Sequence, residues 1–178
     1  MNGILAFTAL VALVGLERLA ELVVSRRNAA WSLARGGVEH GRGHYPVMVA
    51  LHSGFLIAML VEAWVRRPEV PPALASSMLA LVLASQALRW WCIATLGPRW
   101  NTRVIVVPGM PPVTGGPYRL LRHPNYVAVV VEGMALPLVH SAWMTAVVFT
   151  VANAVLLTVR IRVEDAALAT LPRSAVDA

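Results

Sequence analysis

Apolar stretches separated by short polar segments dominate the chain and predict helices that cross a membrane. A helix needs roughly 20 mostly apolar residues to span the hydrocarbon layer, and each of the first three stretches reaches that length. The last run, 126–159, is too long for one helix and breaks near Pro137 into two shorter ones. We therefore predict an all-α polytopic membrane protein, a single domain over 1–178. Its five or so spans cover about 4–24, 46–65, 73–96, 126–140 and 142–160.

Composition supports a membrane location and changes what the charge means. The chain is 58% hydrophobic and 13% charged, with a mean hydropathy of +0.67, whereas soluble domains carry about 25% charged residues. The formal net charge of +6 comes from arginine alone, because there is no lysine. These arginines lie mostly between apolar runs, so we expect them to meet membrane lipids and no nucleic acid. The single cysteine, Cys92, excludes a disulfide framework and a multi-cysteine metal site.

The placement of arginine predicts the orientation. Between the spans, one side of the membrane carries only Arg66 and Arg67, so the positive-inside rule puts the amino terminus outside and the carboxy terminus in the cytoplasm. We expect the bacterial inner (plasma) membrane, with the first helix retained, because that helix lacks the basic start and the cleavage site of a signal peptide. The cytoplasmic set comprises Arg26, Arg27, Arg35, Arg42, Arg99, Arg103, Arg119, Arg122, Arg160, Arg162 and Arg173.

The loop before the fourth span is rich in residues with special backbone or chemical properties. Gly115 and Gly116 allow a tight turn and a close approach to a ligand. His123 precedes Pro124, which predicts the start of a helix there. His123 and Tyr126 should then lie together near the positive end of the fourth span.

The end of the fifth span offers a cation and an anion on one helix face, because Arg160 and Glu164 are four residues apart. The glutamate could accept hydrogen bonds from a ribose diol or balance a sulfonium, and the arginine could hold an anionic group. Ordinary alternatives exist for each signal. The pair could be a surface ion pair, His123 a headgroup-level polar residue, and Arg119 and Arg122 plain topology determinants.

Ionisable residues inside the spans are further functional candidates, since burying a charge in lipid costs at least about 2.5–3.5 kcal/mol. The alternative is internal ion pairing with Arg18 or Arg89. Glu132 is the strongest candidate for a catalytic role, because its span begins with the loop motif. The candidates are Glu17, Glu21, His52, Glu62 and Glu132.

Two motifs together resemble a known family. Gly-Pro-Tyr-Arg-x-x-Arg-His-Pro-x-Tyr at 116–126, with Arg-Ile-x-x-Glu-Asp at 160–165, closely resembles the isoprenylcysteine carboxyl methyltransferase family. The resemblance continues upstream, so it covers most of the chain. The upstream features are similar to a bacterial branch associated with type III polyketide synthases, whose members methylate alkylresorcinol- or alkylpyrone-like lipids. They are Arg18-x-x-Glu21, Ser25-Arg-Arg-Asn28 and Leu96-Gly-x-Arg-Trp-x-Thr-Arg-Val-Ile-Val106.

The resemblance implies S-adenosylmethionine as the cofactor, in a cytoplasmic pocket built from 111–126 and 160–165. Arg160 would face the acceptor as a catalytic residue, and no metal is required; Glu132 is a catalytic candidate on its position in the fourth span alone. The family usually has two glutamates where this chain has Glu164 and Asp165, which shortens the second side chain and keeps its charge. The cofactor-binding residues implied are Pro111, Pro112, Val113, Tyr118, His123, Pro124, Asn125, Tyr126 and Glu164.

The function expected is methyl transfer to an oxygen of a lipophilic acceptor drawn from the bilayer. The acceptor would be an alkylresorcinol or alkylpyrone lipid or a prenylcysteine-type carboxylate, and the oligomeric state stays open. One alternative is a phospholipid N-methyltransferase, a relative that shares some of the motifs. Another is a non-catalytic scaffold or transporter subunit, although the chain lacks the repeats and paired broken helices expected of a transporter.

Overall fold

Five α-helices make up most of the structure, a computed structural model that describes residues 2–171. Four of these helices are long and apolar enough to cross a membrane, and α4, with 15 residues, is shorter. This confirms the predicted all-α polytopic fold, and the chain is an integral membrane protein. The helices are α1 (Asn2–Leu33), α2 (His44–Arg66), α3 (Pro72–Leu96), α4 (Pro124–Leu138) and α5 (Trp143–Leu168).

Two helices continue beyond the predicted spans at the polar end of the bundle. Helix α1 runs past Val24 to Leu33, and α5 runs past Arg160 to Leu168. Neither extension contains proline or glycine, and most of their residues are good helix formers, so the helix persists after the apolar run ends. The 32 residues of α1 give a length of about 48 Å, which exceeds the roughly 30 Å hydrocarbon core.

A short antiparallel strand pair departs from the all-helical prediction. Strand β1 (Val38–His40) pairs with β2 (Val104–Val106), with Val38 opposite Val106 and His40 opposite Val104. Val104 and Val106 are buried against Ala167 near the end of α5. The pair therefore ties the α1–α2 linker and the loop after α3 to the last helix.

Aromatic and small residues pack the other end of the bundle. The rings of Phe55 and Phe149 stack with centroids 4.0 Å apart. Helix α4 approaches α5 closely at Gly133, where a Cβ atom would collide with the Phe149 ring. This well-packed end holds the helices in place below the site. Its buried core comprises Phe7, Val11, Val14, Phe55, Met59, Ala63, Val82, Ala135, Leu136, Ala142 and Phe149.

The break predicted near Pro137 separates α4 from α5, and a side chain of α2 stabilises the start of α5. The Glu62 carboxylate accepts hydrogen bonds from the backbone N–H groups of Met144 (3.0 Å) and Thr145 (2.8 Å), in the first turn of α5. Those N–H groups have no partner within their own helix. Glu62, one of the intramembrane candidates, therefore caps a helix at the end of the bundle away from the loop motif.

The polar segments predicted to be cytoplasmic meet at one end of the bundle. Helix α1 ends there, α2 begins there, and the 97–123 loop and the end of α5 join them through side-chain contacts. The arginines of the predicted cytoplasmic set belong to these segments, except that Arg173 lies outside the described residues, whereas Arg66 and Arg67 lie at the opposite end.

Candidate active site

Two cavities share a wall at the polar end of the bundle. The loop cavity lies under the 97–123 loop, between β2 and the end of α5. The bundle cavity lies among the helices, below the loop, and apolar side chains of α1, α2, α4 and α5 form much of its wall. Five residues line both cavities, so a ligand in either cavity would contact the same wall. They are Trp100, Asn101, Asn125, Tyr126 and Arg160.

The structure brings the predicted cofactor-binding residues together. All but Pro124 line the loop cavity, and Pro124 is fully buried behind it at the first position of α4. A proline there fixes the backbone where the helix starts, without losing a helical hydrogen bond. The lining residues are Pro111, Pro112, Val113, Tyr118, His123, Asn125, Tyr126 and Glu164.

Tyr118 stands in a short 3-10 helix, Gly116–Arg119, that packs against α3. Burial raises the pKa of its hydroxyl above the usual range, and the neighbouring Cys92 thiol adds to the rise. Tyr118, which lines the loop cavity, therefore stays protonated.

Tyr126 joins the cation and the anion of the motif at the end of α5. Its hydroxyl accepts a hydrogen bond from Arg160 Nε–H at 2.8 Å and donates one to the Glu164 carboxylate. Arg160 and Glu164 make no direct ion pair, although they are four residues apart. The ordinary alternative, a surface ion pair, is therefore wrong, because a tyrosine from α4 lies between the two side chains.

Arg160 is a buried cation without a carboxylate partner among residues 2–171. It is 5% exposed, and its other nitrogens reach the Thr102 carbonyl oxygen at 2.7 Å and the Met48 sulfur at 3.2 Å. A thioether is a weak acceptor, and burying a charge without compensation is costly. The guanidinium is thus placed to bind an anionic oxygen in either cavity.

His123 forms part of the loop-cavity wall that also contains Arg160. Its Nε2–H donates a hydrogen bond to Asp165 at 3.0 Å, since a carboxylate can only accept. The ring also stacks on Tyr126, with centroids 5.5 Å apart. These contacts fix the ring at the start of α4, and the shorter Asp165 side chain still reaches it.

The extension of α1 anchors the loop after α3. Ser25 Oγ bonds to the Asn101 side chain at 2.8 Å and accepts from the Thr102 backbone N–H at 3.0 Å. Asn28 donates to the Trp100 carbonyl at 2.8 Å. The upstream motif at 25–28 therefore positions the wall that the two cavities share.

Several residues that line the loop cavity were not predicted. Arg99 donates a hydrogen bond to the Pro111 carbonyl oxygen at 2.8 Å and so positions the 111–113 segment. The 96–106 motif was the available signal, but most of its side chains are apolar and suggested no chemistry. The additional lining residues are Ser32, Leu96, Arg99, Trp100, Asn101, Arg103, Val104, Ile105, Val106, Val107, Met110, Leu168 and Leu171.

The two glycines have a different role from the one expected. Gly116 has a φ of 54°, and a Cβ atom there would collide with Thr95 and lie 3.1 Å from Trp91 Nε1. The close approach is therefore to α3, and neither Gly115 nor Gly116 lines either cavity. The predicted turn exists, but the expected contact of these glycines with a ligand does not.

A charged cluster lines the bundle cavity away from the loop. The Glu132 carboxylate accepts from Arg89 at 2.8 Å and from Arg18 at 3.1 Å, and Arg18 also binds Glu21 at 2.6 Å. This confirms the alternative of internal ion pairs, with Glu17 bonded nearby to Gln86 and Trp90. Glu132 lines the bundle cavity and not the loop cavity, so its catalytic role stays a prediction.

Comparisons with known proteins identify the family of the chain. Residues 78–170 match the model of the isoprenylcysteine carboxyl methyltransferase (ICMT) family. The chain is 38% identical to the uncharacterized protein YpbQ of Bacillus subtilis over 91% of its own length and 96% of that protein's. It is 26% identical to an uncharacterized protein of Haemophilus influenzae, over 88% and 92% of the two chains. No solved structure matches significantly. The chain therefore belongs to the isoprenylcysteine carboxyl methyltransferase family of membrane methyltransferases, whose members use S-adenosylmethionine.

Proposed function

We propose that the protein transfers a methyl group from S-adenosylmethionine to an oxygen of a lipophilic acceptor, with the cofactor in the loop cavity and the acceptor in the bundle cavity. The observation that carries this proposal is the shared wall, in which Arg160 stands without a carboxylate partner among the described residues. A methyl group must pass between two ligands held in line. Adjoining cavities, one under the 97–123 loop and one within the helix bundle, suit that geometry.

The side chains of the loop cavity fit a nucleoside with a charged amino acid part. Glu164 is part-exposed to the cavity and could accept from ribose hydroxyls or an ammonium group. Three buried polar atoms in the shared wall have no hydrogen-bond partner in residues 2–171, which leaves donors and an acceptor for a polar ligand. They are Trp100 Nε1, Asn101 Nδ2 and Asn125 Oδ1.

Arg160 favours an oxygen acceptor over an amine. The cofactor supplies an electrophilic methyl group on a sulfonium, which any nucleophile must reach in line. A carboxylate is already ionised at neutral pH, and a phenol, with a pKa near 10, is driven toward its anion by a nearby cation. A neutral amine gains no such help, because its charge increases as it is methylated. Phospholipid N-methylation is therefore the less favoured reaction.

The bilayer is the proposed source of the acceptor. The bundle cavity lies within the helices that cross the membrane, and residues such as Val49, Leu156 and Leu157 form apolar parts of its wall. Alkylresorcinol or alkylpyrone lipids stand ahead of prenylcysteine carboxylates, because the upstream motifs resemble the branch that methylates the former.

The polar end of the bundle is proposed to face the cytoplasm of a bacterial cell, across the inner membrane, with the amino terminus outside. Both Arg35 and Arg67 are exposed, while the natural Cys92 is buried. A membrane-impermeant maleimide applied to intact spheroplasts should label Arg67→Cys and spare Arg35→Cys until the membrane is opened. The reverse pattern would overturn the orientation.

Methyl transfer is tested with membranes that contain the protein, labelled S-adenosylmethionine and a panel of acceptors. Alkylresorcinol, alkylpyrone and prenylcysteine probes test O-methylation, and phosphatidylethanolamine tests the N-methyl alternative. Label found only in the phospholipid, or in no acceptor, would refute the proposal.

Two variants separate the cofactor from the acceptor. Glu164→Gln should weaken S-adenosylmethionine binding, whereas Arg160→Gln should impair turnover of the acceptor more than cofactor affinity. Arg162→Gln is the matched control, because Arg162 is an exposed arginine on the same helix that lines neither cavity. Equal losses of both functions in Arg160→Gln would contradict the assigned role.

A further inference from the structure

The bundle cavity has a second polar region, distant from Arg160. Asn153 lies on α5, is 2% exposed and lines this cavity, yet its Oδ1 has no hydrogen-bond partner among residues 2–171. It precedes Arg160 by two helical turns on the same face, which places the two backbones about 10 Å apart. A buried amide inside a membrane helix bundle normally bonds to a neighbouring helix. Asn153 leaves an acceptor free instead.

His52 lines the same cavity from α2. Its Nδ1 lies 2.9 Å from the Met48 carbonyl oxygen, and a carbonyl can only accept, so Nδ1 carries the proton. In the neutral ring, Nε2 then presents a lone pair. The ring edge packs against Phe149, with centroids 5.2 Å apart, which fixes its plane.

The charged cluster contributes donors on the α1 and α3 side of this cavity. Arg18 and Arg89 both line it, and the Nε–H of each is buried with no hydrogen-bond partner among residues 2–171. Both guanidiniums are otherwise held by Glu132. This part of the cavity thus combines unused acceptors on α2 and α5 with unused donors opposite them.

We infer that the acceptor carries a second oxygen function, a hydroxyl remote from the oxygen that is methylated, and that this hydroxyl binds at Asn153 and His52. The inference rests on the proposed function and narrows its substrate class. A hydroxyl can donate to Asn153 Oδ1 or His52 Nε2 and also accept from a guanidinium. A purely hydrocarbon group there would leave these buried groups unpaired, which opposes binding. The apolar wall formed by Val49 and Leu156 remains for the lipid tail.

The test compares two probes that differ by one hydroxyl, a 5-alkylresorcinol and the 3-alkylphenol with the same chain, on purified protein in lipid nanodiscs. One hydrogen bond is worth about 0.5–1.5 kcal/mol, so the wild type should show a KM about 2- to 12-fold lower for the resorcinol. Asn153→Leu should remove that difference by raising the KM for the resorcinol toward the KM for the alkylphenol. A rise in KM at constant kcat for the resorcinol would identify a contact made equally in the ground state and the transition state.

A matched control and a stability measurement separate binding from a structural role. Thr158→Val removes a hydroxyl from the exposed face of the same helix, where it donates to the Ala154 carbonyl oxygen, and should retain the preference. Asn153→Leu should keep or raise the melting temperature, because it removes a buried unpaired amide. A lower melting temperature with equal losses for both probes would overturn the inference. No preference in the wild type would overturn it as well.

A binding measurement keeps this inference distinct from the proposed function. The resorcinol probe should raise the melting temperature of the protein without cofactor, and Asn153→Leu should abolish that shift. If neither probe is methylated but this Asn153-dependent shift persists, the proposed reaction fails and the hydroxyl site stands. If the probes are methylated without dependence on Asn153, the hydroxyl site fails and the reaction stands.

Discussion

Replacement of Tyr126 by phenylalanine tests the relay that joins Arg160 to Glu164. The change removes one oxygen from a side chain that is 8% exposed and leaves the ring in place. Arg160 loses the acceptor that lies 2.8 Å from its Nε, and Glu164 loses a donor. Arg160 keeps its bond to the Thr102 carbonyl at 2.7 Å. The guanidinium should therefore stay in the cavity wall but lose its fixed orientation.

The size of the effect follows from the number of bonds lost without replacement. Glu164 is 30% exposed and can turn toward water, whereas Arg160 is buried and loses the acceptor of its Nε–H. A hydrogen bond to a charged group is worth about 1.5–3 kcal/mol. We therefore expect kcat/KM for the acceptor to fall about 10- to 150-fold, with a smaller change in the Kd of S-adenosylmethionine.

Initial rates with labelled cofactor measure this effect, and a double-mutant cycle with Glu164→Gln tests the coupling. Tyr126→Phe removes the Tyr126–Glu164 bond and Glu164→Gln weakens it by removing the acceptor's charge, so their free-energy effects should not add. The melting temperature in detergent checks that each variant is folded. A loss below about 2-fold in a folded Tyr126→Phe protein would refute the relay, since it lies far under the 1.5 kcal/mol lower bound. Strict additivity with Glu164→Gln would refute it too.

Three further substitutions test how the site is supported. Gly116→Ala should destabilise the protein by about 1–3 kcal/mol, because alanine is strained at positive φ and its Cβ would collide with Thr95. Gly115→Ala, at φ −85° in open space, should leave the melting temperature unchanged. Equal effects of the two substitutions would contradict this account. Glu62→Ala should lower the free energy of unfolding by about 1–2 kcal/mol through loss of the α5 cap, without changing KM. Glu69→Ala, in the exposed linker, should change neither stability nor KM. Equal melting temperatures of the two variants would count against the cap. Arg99→Gln should raise the Kd of S-adenosylmethionine about 3- to 10-fold, because it releases the Pro111 carbonyl. Arg119→Gln, exposed and away from both cavities, should leave the Kd unchanged. An unchanged Kd in Arg99→Gln would exclude a role of Arg99 in positioning the 111–113 segment.

The sequence predicted the helices better than the segments between them. Long apolar runs and prolines locate the spans and the break near Pro137, because these are local signals. Strands β1 and β2 have three residues each, too few to show a periodic pattern. They form because the folded bundle brings 38–40 beside 104–106, and that proximity is not encoded locally.

The candidate site shows the same division between local and distant information. The 116–126 and 160–165 motifs identified residues that do converge on one cavity. The i, i+4 spacing of Arg160 and Glu164 suggested a direct ion pair, since spacing along one helix says nothing about a side chain from another. Tyr126 enters from α4 and changes a surface pair into a buried relay. Asn153, a single polar residue within an apolar run, carried no pattern at all.

Charge compensation distinguishes the two groups of buried arginines along the bundle cavity. Arg18 and Arg89 share the carboxylates of Glu21 and Glu132, so their charges are balanced within the protein. Arg160 has only neutral partners within residues 2–171, although Glu164 lies one turn away on its own helix. A direct ion pair with that glutamate would compensate the buried charge of Arg160 better than these neutral partners do. The intervening tyrosine keeps the cation available, at the one wall where an oxygen anion and a methyl donor could meet.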